Sequence, residues 1–193
     1  MYRICLTGHR PKDLQQFMPD GANAYDLHNS FWLAVINRLY GVITAELQLH
    51  PEGLELHSGM ALGGDMAWAG AIVVARQRFG ADKIRFVADV PLMTQANHWR
   101  KSTKIAWQHL LDLADEVKVT SDGPYTPAVM EARNQQMIND SDLCLALWTG
   151  EIRPHSGTCN GVRDALNAGV DLYRLDPATL LWEHIDACPA LTN

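Results

Sequence analysis

The feature that most narrows what this chain can become is a repeated alternation. Short β-prone apolar runs, each ending in a polar loop, take turns with longer segments whose apolar residues fall three and four apart. Tyr2–Leu6, Leu54–His57, Lys83–Val90, Asp115–Thr120, Leu143–Trp148 and Val170–Leu175 are the strand candidates. Leu143–Trp148 decides the type of sheet: a continuous apolar run too short for a helix is what a central parallel strand, buried on both faces, requires. The helical segments are Tyr25–Leu49, Met66–Phe79, a stretch ending at Leu113, Ala128–Asn139 and Gly157–Ala168. Phe31, Trp32, Val35, Ile36, Leu39, Tyr40, Ile43 and Leu47 give the first of these a single apolar face. The pattern predicts an α/β fold, a doubly wound, mostly parallel sheet with helices on both faces joined by right-handed crossovers. At 193 residues a single domain is expected, with its core over about 2–175 and a tail, 176–193, of no assigned structure.

In such a sheet the loops that follow strands line one edge, and ligands sit where the strand order reverses. The loops at Gly8, Gly59, Pro91, Tyr125 and Gly157 therefore share that edge. Among them His57-Ser58-Gly59-Met60-Ala61-Leu62-Gly63-Gly64-Asp65 is the densest in small residues. Glycines let backbone approach closely, and the free N–H groups of a helix start favour an anion, a phosphate being the natural candidate. The same glycines would also serve a tight strand-to-helix turn, and their spacing is neither G-x-G-x-x-G nor a P-loop. Asp65 would bond ribose hydroxyls, or cap the helix. His9 and Arg10 would hold an anion or a ribose edge, or act as a turn residue and a surface ion pair. Ser156-Gly157-Thr158 is a second small-residue helix start, with ordinary N-capping as the alternative. Arg133 offers a bidentate fork to phosphate and Asn134 an amide for hydroxyls. Trp148 and Trp99 are base platforms or packing residues.

Composition restricts the partners. A net charge of −6 opposes non-specific binding to a phosphate backbone but permits a local basic cleft for one small anion. A small phosphate-containing ligand is expected, and nucleic acid is not. No apolar run approaches ~20 residues and the amino terminus reads directly as a strand, so no signal peptide, no membrane partner and a cytoplasmic location are expected. Cys5 and Cys144 fall inside strands as packed thiols, and with Cys159 and Cys188 they show no zinc spacing, so no metal is expected.

Thr7-Gly8-His9-Arg10-Pro11, then Ser58-Gly59-Met60-Ala61-Leu62-Gly63-Gly64-Asp65, then Arg133-Asn134-x-x-Met137 with Ser141-Asp142, then Ser156-Gly157-Thr158 resemble the ordered motifs of the YpsA-like proteins. These belong to the SLOG superfamily, which also holds the LOG-type phosphoribohydrolases and part of the DNA-processing protein DprA. The resemblance runs from about Tyr2 to Tyr173. It implies a Rossmann-like domain that binds a nucleotide or nucleotide-derived metabolite, ADP-ribose-like or related, as a sensor or sequestering protein that self-associates. The ligand-binding set it implies is Gly8, His9, Arg10, Ser58, Gly59, Met60, Gly63, Gly64, Asp65, Arg133, Asn134, Trp148, Ser156, Gly157 and Thr158. The alternatives are a nucleotide-processing hydrolase, with Asp65, Arg133 and Glu131 as candidate catalytic residues, and DprA-like single-strand DNA binding. LOG enzymes carry a glutamate three residues after the threonine of their second motif; here that position is Gly161. N-glycosidic cleavage is helped by such a carboxylate, so the LOG mechanism is not expected. No cofactor beyond a nucleotide-type ligand is implied.

Overall fold

The computed structural model describes residues 1–187, and Cys188 lies outside the described residues. One seven-stranded sheet runs in the order β4-β3-β2-β1-β5-β6-β7. Its members are β1 (Tyr2–Gly8), β2 (Leu54–Ser58), β3 (Ile84–Val90), β4 (Glu116–Val119), β5 (Leu143–Leu147), β6 (Asp171–Leu175) and β7 (Trp182–His184). All neighbours are parallel except β6 and β7. The last strand is therefore not Val170–Leu175, as the sequence pattern suggested. Three residues carry no readable period, and β7 is set by its pairing with β6, reinforced by Arg174 Nη1 donating to Glu183 Oε2 at 3.0 Å.

The helices are α1 (Pro11–Leu14), continued by a 3-10 turn at Gln15–Phe17, then α2 (Ser30–Leu49), α3 (Gly64–Phe79), α4 (Lys101–Asp112), α5 (Pro127–Asn139) and α6 (Gly157–Ala168). Helix α2 begins at Ser30 rather than Tyr25. The Asn29 side chain accepts the Trp32 N–H and Asp26 accepts the His28 N–H, so the residues before Ser30 are held in turns.

From β1 to β4 each crossover steps the same way across the sheet, and the chain then returns to the far side of β1 as β5. Right-handed crossovers therefore place α2, α3 and α4 on one face and α5 and α6 on the other. The core divides accordingly. Ile4, Leu6, Leu54, Leu56, Phe86 and Leu145 pack with Trp32, Trp68 and Trp107 of α2, α3 and α4. Cys5, Cys144 and Ala146 pack with Met137, Ile138, Val162 and Ala165 of α5 and α6. Cys5 and Cys144 are register partners across β1 and β5 and are buried, which makes them packing residues. Among the described residues no helix is long and apolar enough to cross a membrane.

Candidate functional site

At the carboxyl edge of the sheet the loop after β1 meets the start of α3 without side chains between them. A Cβ on Gly8 would fall 2.7 Å from the Gly64 Cα, and one on Gly63 would fall 2.3 Å from the His9 carbonyl oxygen. Gly63 sits at φ +99°, a backbone state that only glycine holds without strain. The Gly64 N–H donates to His9 O at 3.1 Å and the Met66 N–H to Ala61 O at 3.2 Å. The glycine pair thus builds a backbone junction. Its Gly64 amide is committed to the His9 carbonyl and is therefore not one of the free helix-start donors that would face an anion.

Beside this junction lies a buried ion pair that spans the two layers of helices. Arg133 of α5 places Nη1 3.3 Å from Asp65 Oδ2 of α3, and both side chains are buried. The guanidinium occupies the space a side chain at Gly59 would need, since a Cβ there would stand 1.1 Å from Nη1. That glycine exists to admit the arginine. Arg133 Nε is buried and has no hydrogen-bond partner, so the five-donor fork is only partly satisfied. Asp65 Oδ2 also faces the Ala61 N–H at 3.4 Å, and Ser58 Oγ donates to the Asp65 carbonyl at 2.8 Å while accepting the Met60 N–H. Asn134 is half-buried next to Arg133, whereas Glu131 is exposed on α5 and faces Asp164 of α6, whose pKa is raised by burial and, to a smaller degree, by the Glu131 charge.

Met60 is fully buried with φ +55°, the left-handed region, which turns its carbonyl toward two donors. Gln95 Nε2 and Trp107 Nε1 each donate to Met60 O at 3.1 Å. Gln95 in turn lines a cavity of about 620 Å³ with Arg10, Leu92, Thr94, Asn97, His98, Trp99, Tyr125 and Met130. This volume is in the range of small-molecule sites. The loops after β1, β3 and β4 and the start of α5 form its walls, and Met130 is one helical turn before Arg133. The lining contains Arg10 and His98 and no carboxylate.

The position of the cavity differs from the sequence expectation. Strand order reverses between β1 and β5, where His9 is buried with its Nε2 3.2 Å from Thr149 Oγ1. Space opens instead over β1 to β4. Trp148, read as a base platform, is enclosed: its indole N–H donates to Glu151 O and Arg174 stacks over the ring. Trp99 does line the cavity, braced edge-to-face on Trp107 at 6.1 Å. Ser156 caps α6 by accepting the Cys159 N–H, and Ser156, Gly157 and Thr158 are not among the cavity residues. Gly161 is explained by packing, since a Cβ there would stand 2.7 Å from Thr7 Oγ1. Leu92, Thr94, Gln95 and Tyr125 were not singled out from the sequence: their loops were placed on the ligand edge, but neither ends in a glycine-bearing helix start like those at Gly64 and Gly157.

The chain matches the model of the YspA SLOG family (YpsA) over residues 4–166. It belongs to this family of SLOG proteins. This SLOG protein is 27% identical over 164 residues, 78% of its own chain and 92% of the relative's, to the SPbeta prophage-derived protein YoqJ of Bacillus subtilis (strain 168). Its fold is similar to DNA processing protein A of Streptococcus pneumoniae, with a TM-score of 0.55, 16% identity, and coverage of 90% of this chain and 50% of the other. The single-stranded-DNA-binding DNA processing protein A of Helicobacter pylori is similar at a TM-score of 0.50 and 16% identity, over 90% of this chain and 64% of the other. The SLOG chain therefore spans about half to two thirds of these DprA proteins.

Two buried histidines give opposite pH dependences. Burial, only partly offset by Asp13, lowers the His9 pKa to about 4. Between about pH 6.5 and 4 the unfolded chain binds a proton that the folded chain refuses, so stability falls with acidification by about 3 kcal/mol. His57 is different: burial opposes its charge, but Nδ1 lies 2.8 Å from Asp89 and Nε2 3.1 Å from Glu55, and the net pKa is raised. Its contribution is complete below the unfolded value near 6.5 and is lost as pH rises through the folded value. Urea unfolding from pH 4 to 9 should show His9→Gln flattening the acid limb and His57→Gln flattening the alkaline one.

Proposed function

We propose that this SLOG protein binds a small phosphate-bearing nucleotide or nucleotide-derived metabolite at the carboxyl edge of its sheet, as a sensor or sequestering protein. The observation that carries the reading is the cavity itself. In a chain of net charge −6, a concave site walled by Arg10 and His98 without one carboxylate is a local basic cleft, suited to a single compact anion. Arg133 does not itself line the cavity, but its part-satisfied guanidinium stands one helical turn beyond Met130, which does, and would add charge for a phosphate at that end. Asp65 and Asn134 would then meet hydroxyls, and Trp99 the base.

A thermal-shift series with AMP, ADP, ADP-ribose and cyclic dinucleotides tests this. A ligand at ~100 times its Kd adds ~2.7 kcal/mol of stability. Arg10→Ala, a change at a half-buried position, should weaken the best ligand about tenfold or more, the worth of one charge-assisted hydrogen bond. No stabilisation by any of these compounds refutes the reading. A second reading, single-strand DNA binding, is favoured only by the likeness to the Helicobacter pylori protein. It requires an oligonucleotide affinity that falls steeply with salt. Incubation with nucleoside monophosphates and chromatography for free base or ribose phosphate tests the hydrolase alternative.

A further inference from the structure

The strand at one end of the sheet has an open side. β4 pairs with β3, and among the described residues no strand pairs with its other edge. That edge presents main-chain N–H and C=O groups able to take on a further strand. Glu116–Val119 contains no proline, and its register with β3 runs unbroken from Val87 and Glu116 to Val90 and Val119, so no bulge turns the edge away. The same register sorts the side chains. Val117 and Val119 lie beside Ala88 and Val90, on the face that carries the larger core, yet they are 38% and 44% exposed. Glu116 and Lys118 lie on the opposite face, where Glu116 pairs with Arg85 at 2.5 Å and Lys118 with Asp140 at 3.8 Å.

We propose that β4 pairs antiparallel with β4 of a second copy of this chain about a two-fold axis at Val117, joining two seven-stranded sheets into one. An axis normal to the sheet keeps the two pleats in phase only when it passes between a residue and its own copy. Centred on Glu116 or on Lys118, the axis would set like charges directly opposite each other. Centred on Val117, it sets Glu116 opposite the second copy's Lys118 and Lys118 opposite the second copy's Glu116, while the two Val117 side chains meet on the core face. The in-chain pairs then join into one row of alternating charge, running from Arg85 and Glu116 to Lys118 and Asp140 of the second copy. A strand from an unrelated protein would need the same order of charges, which this chain supplies to itself. The proposal does not depend on the ligand reading above.

Sedimentation velocity of the full chain over a concentration series should show a species of twice the chain mass. Glu116→Lys and Lys118→Glu each set like charges opposite one another in two places, and each should weaken dimerisation about tenfold or more. Mixed in equal amounts, the two variants restore unlike pairs, and a heterodimer should recover most of the lost affinity. A second pair of variants leaves the charges and their in-chain partners alone. Val117→Cys brings two thiols together at the axis and should give a covalent dimer under copper-phenanthroline oxidation. Val119→Cys should not, because its two copies stand about 13 Å apart along the strands, too far for a disulfide. Four results would each overturn the proposal: a wild-type chain monomeric at every concentration, a single charge variant as tightly dimeric as wild type, a mixture no tighter than its components, or equal cross-linking at 117 and 119.

Discussion

Alanine at position 63 is expected to remove about 3–5 kcal/mol of stability, the sum of backbone strain and overpacking at one site. The Gly63 backbone lies at φ +99°, and its Cβ would press to 2.3 Å from the His9 carbonyl oxygen and 3.1 Å from the Arg10 Cα. These neighbours are main chain, so neither can step aside as a flexible side chain would. Relief would require separating the loop after β1 from the start of α3, and with it the Gly64 N–H to His9 O bond. For a chain of this size the loss corresponds to a fall in Tm of roughly 10 °C. Gly157→Ala is the matched control: nothing lies within 4 Å of its would-be Cβ, and the residue opens α6 at an ordinary φ. That substitution should stay within about 0.5 kcal/mol of wild type or stabilise slightly. Calorimetric melting of both variants decides the matter, and similar Tm values for the two would show that the junction is not rigid.

Removal of the Arg133 charge should be comparably severe. Arg133→Met keeps most of the side chain's length but leaves the Asp65 carboxylate buried opposite nothing, a change that typically costs about 3–5 kcal/mol. The expected signature lies in the second substitution. Asp65→Asn, added to Arg133→Met, should recover part of the loss, because the amide needs no counter-charge and its oxygen keeps the Ala61 N–H. A urea-denaturation double-mutant cycle measures this coupling. A loss under about 1 kcal/mol for Arg133→Met would mean that water screens the pair, and the buried-fork argument for phosphate would go with it.

How much of this was readable in advance depends on distance along the chain. The longer strands and helices were legible almost to their ends, since most are announced by an apolar period of their own and several by Gly or Pro at the close, whereas the four-residue α1 and its 3-10 turn carry no such period. The misplaced start of α2 and the missed β7 are local failures: an Asn29 cap and a three-residue strand carry little signal beside the run that precedes them. Arg133, Asp65 and Gly59 were picked out as site residues, yet nothing in the sequence says that they touch. The glycine rule, applied locally, pointed to an anion at Gly63 and Gly64; the fold adds a requirement the sequence does not show, the close backbone approach of the loop after β1.

The residue order alone settled the α/β class, the parallel central strand and the edge on which the loops gather, because periodicity and crossover handedness are properties of neighbouring residues and of L-amino-acid backbone. Only the folded molecule decided that His9 is buried against Thr149, that a cavity opens over β1 to β4, and that Arg133 pairs with Asp65 across the two layers of helices. These outcomes turn on side chains from elements far apart in sequence competing for the same few ångströms, and such competition leaves no periodic trace for a one-dimensional reading to find.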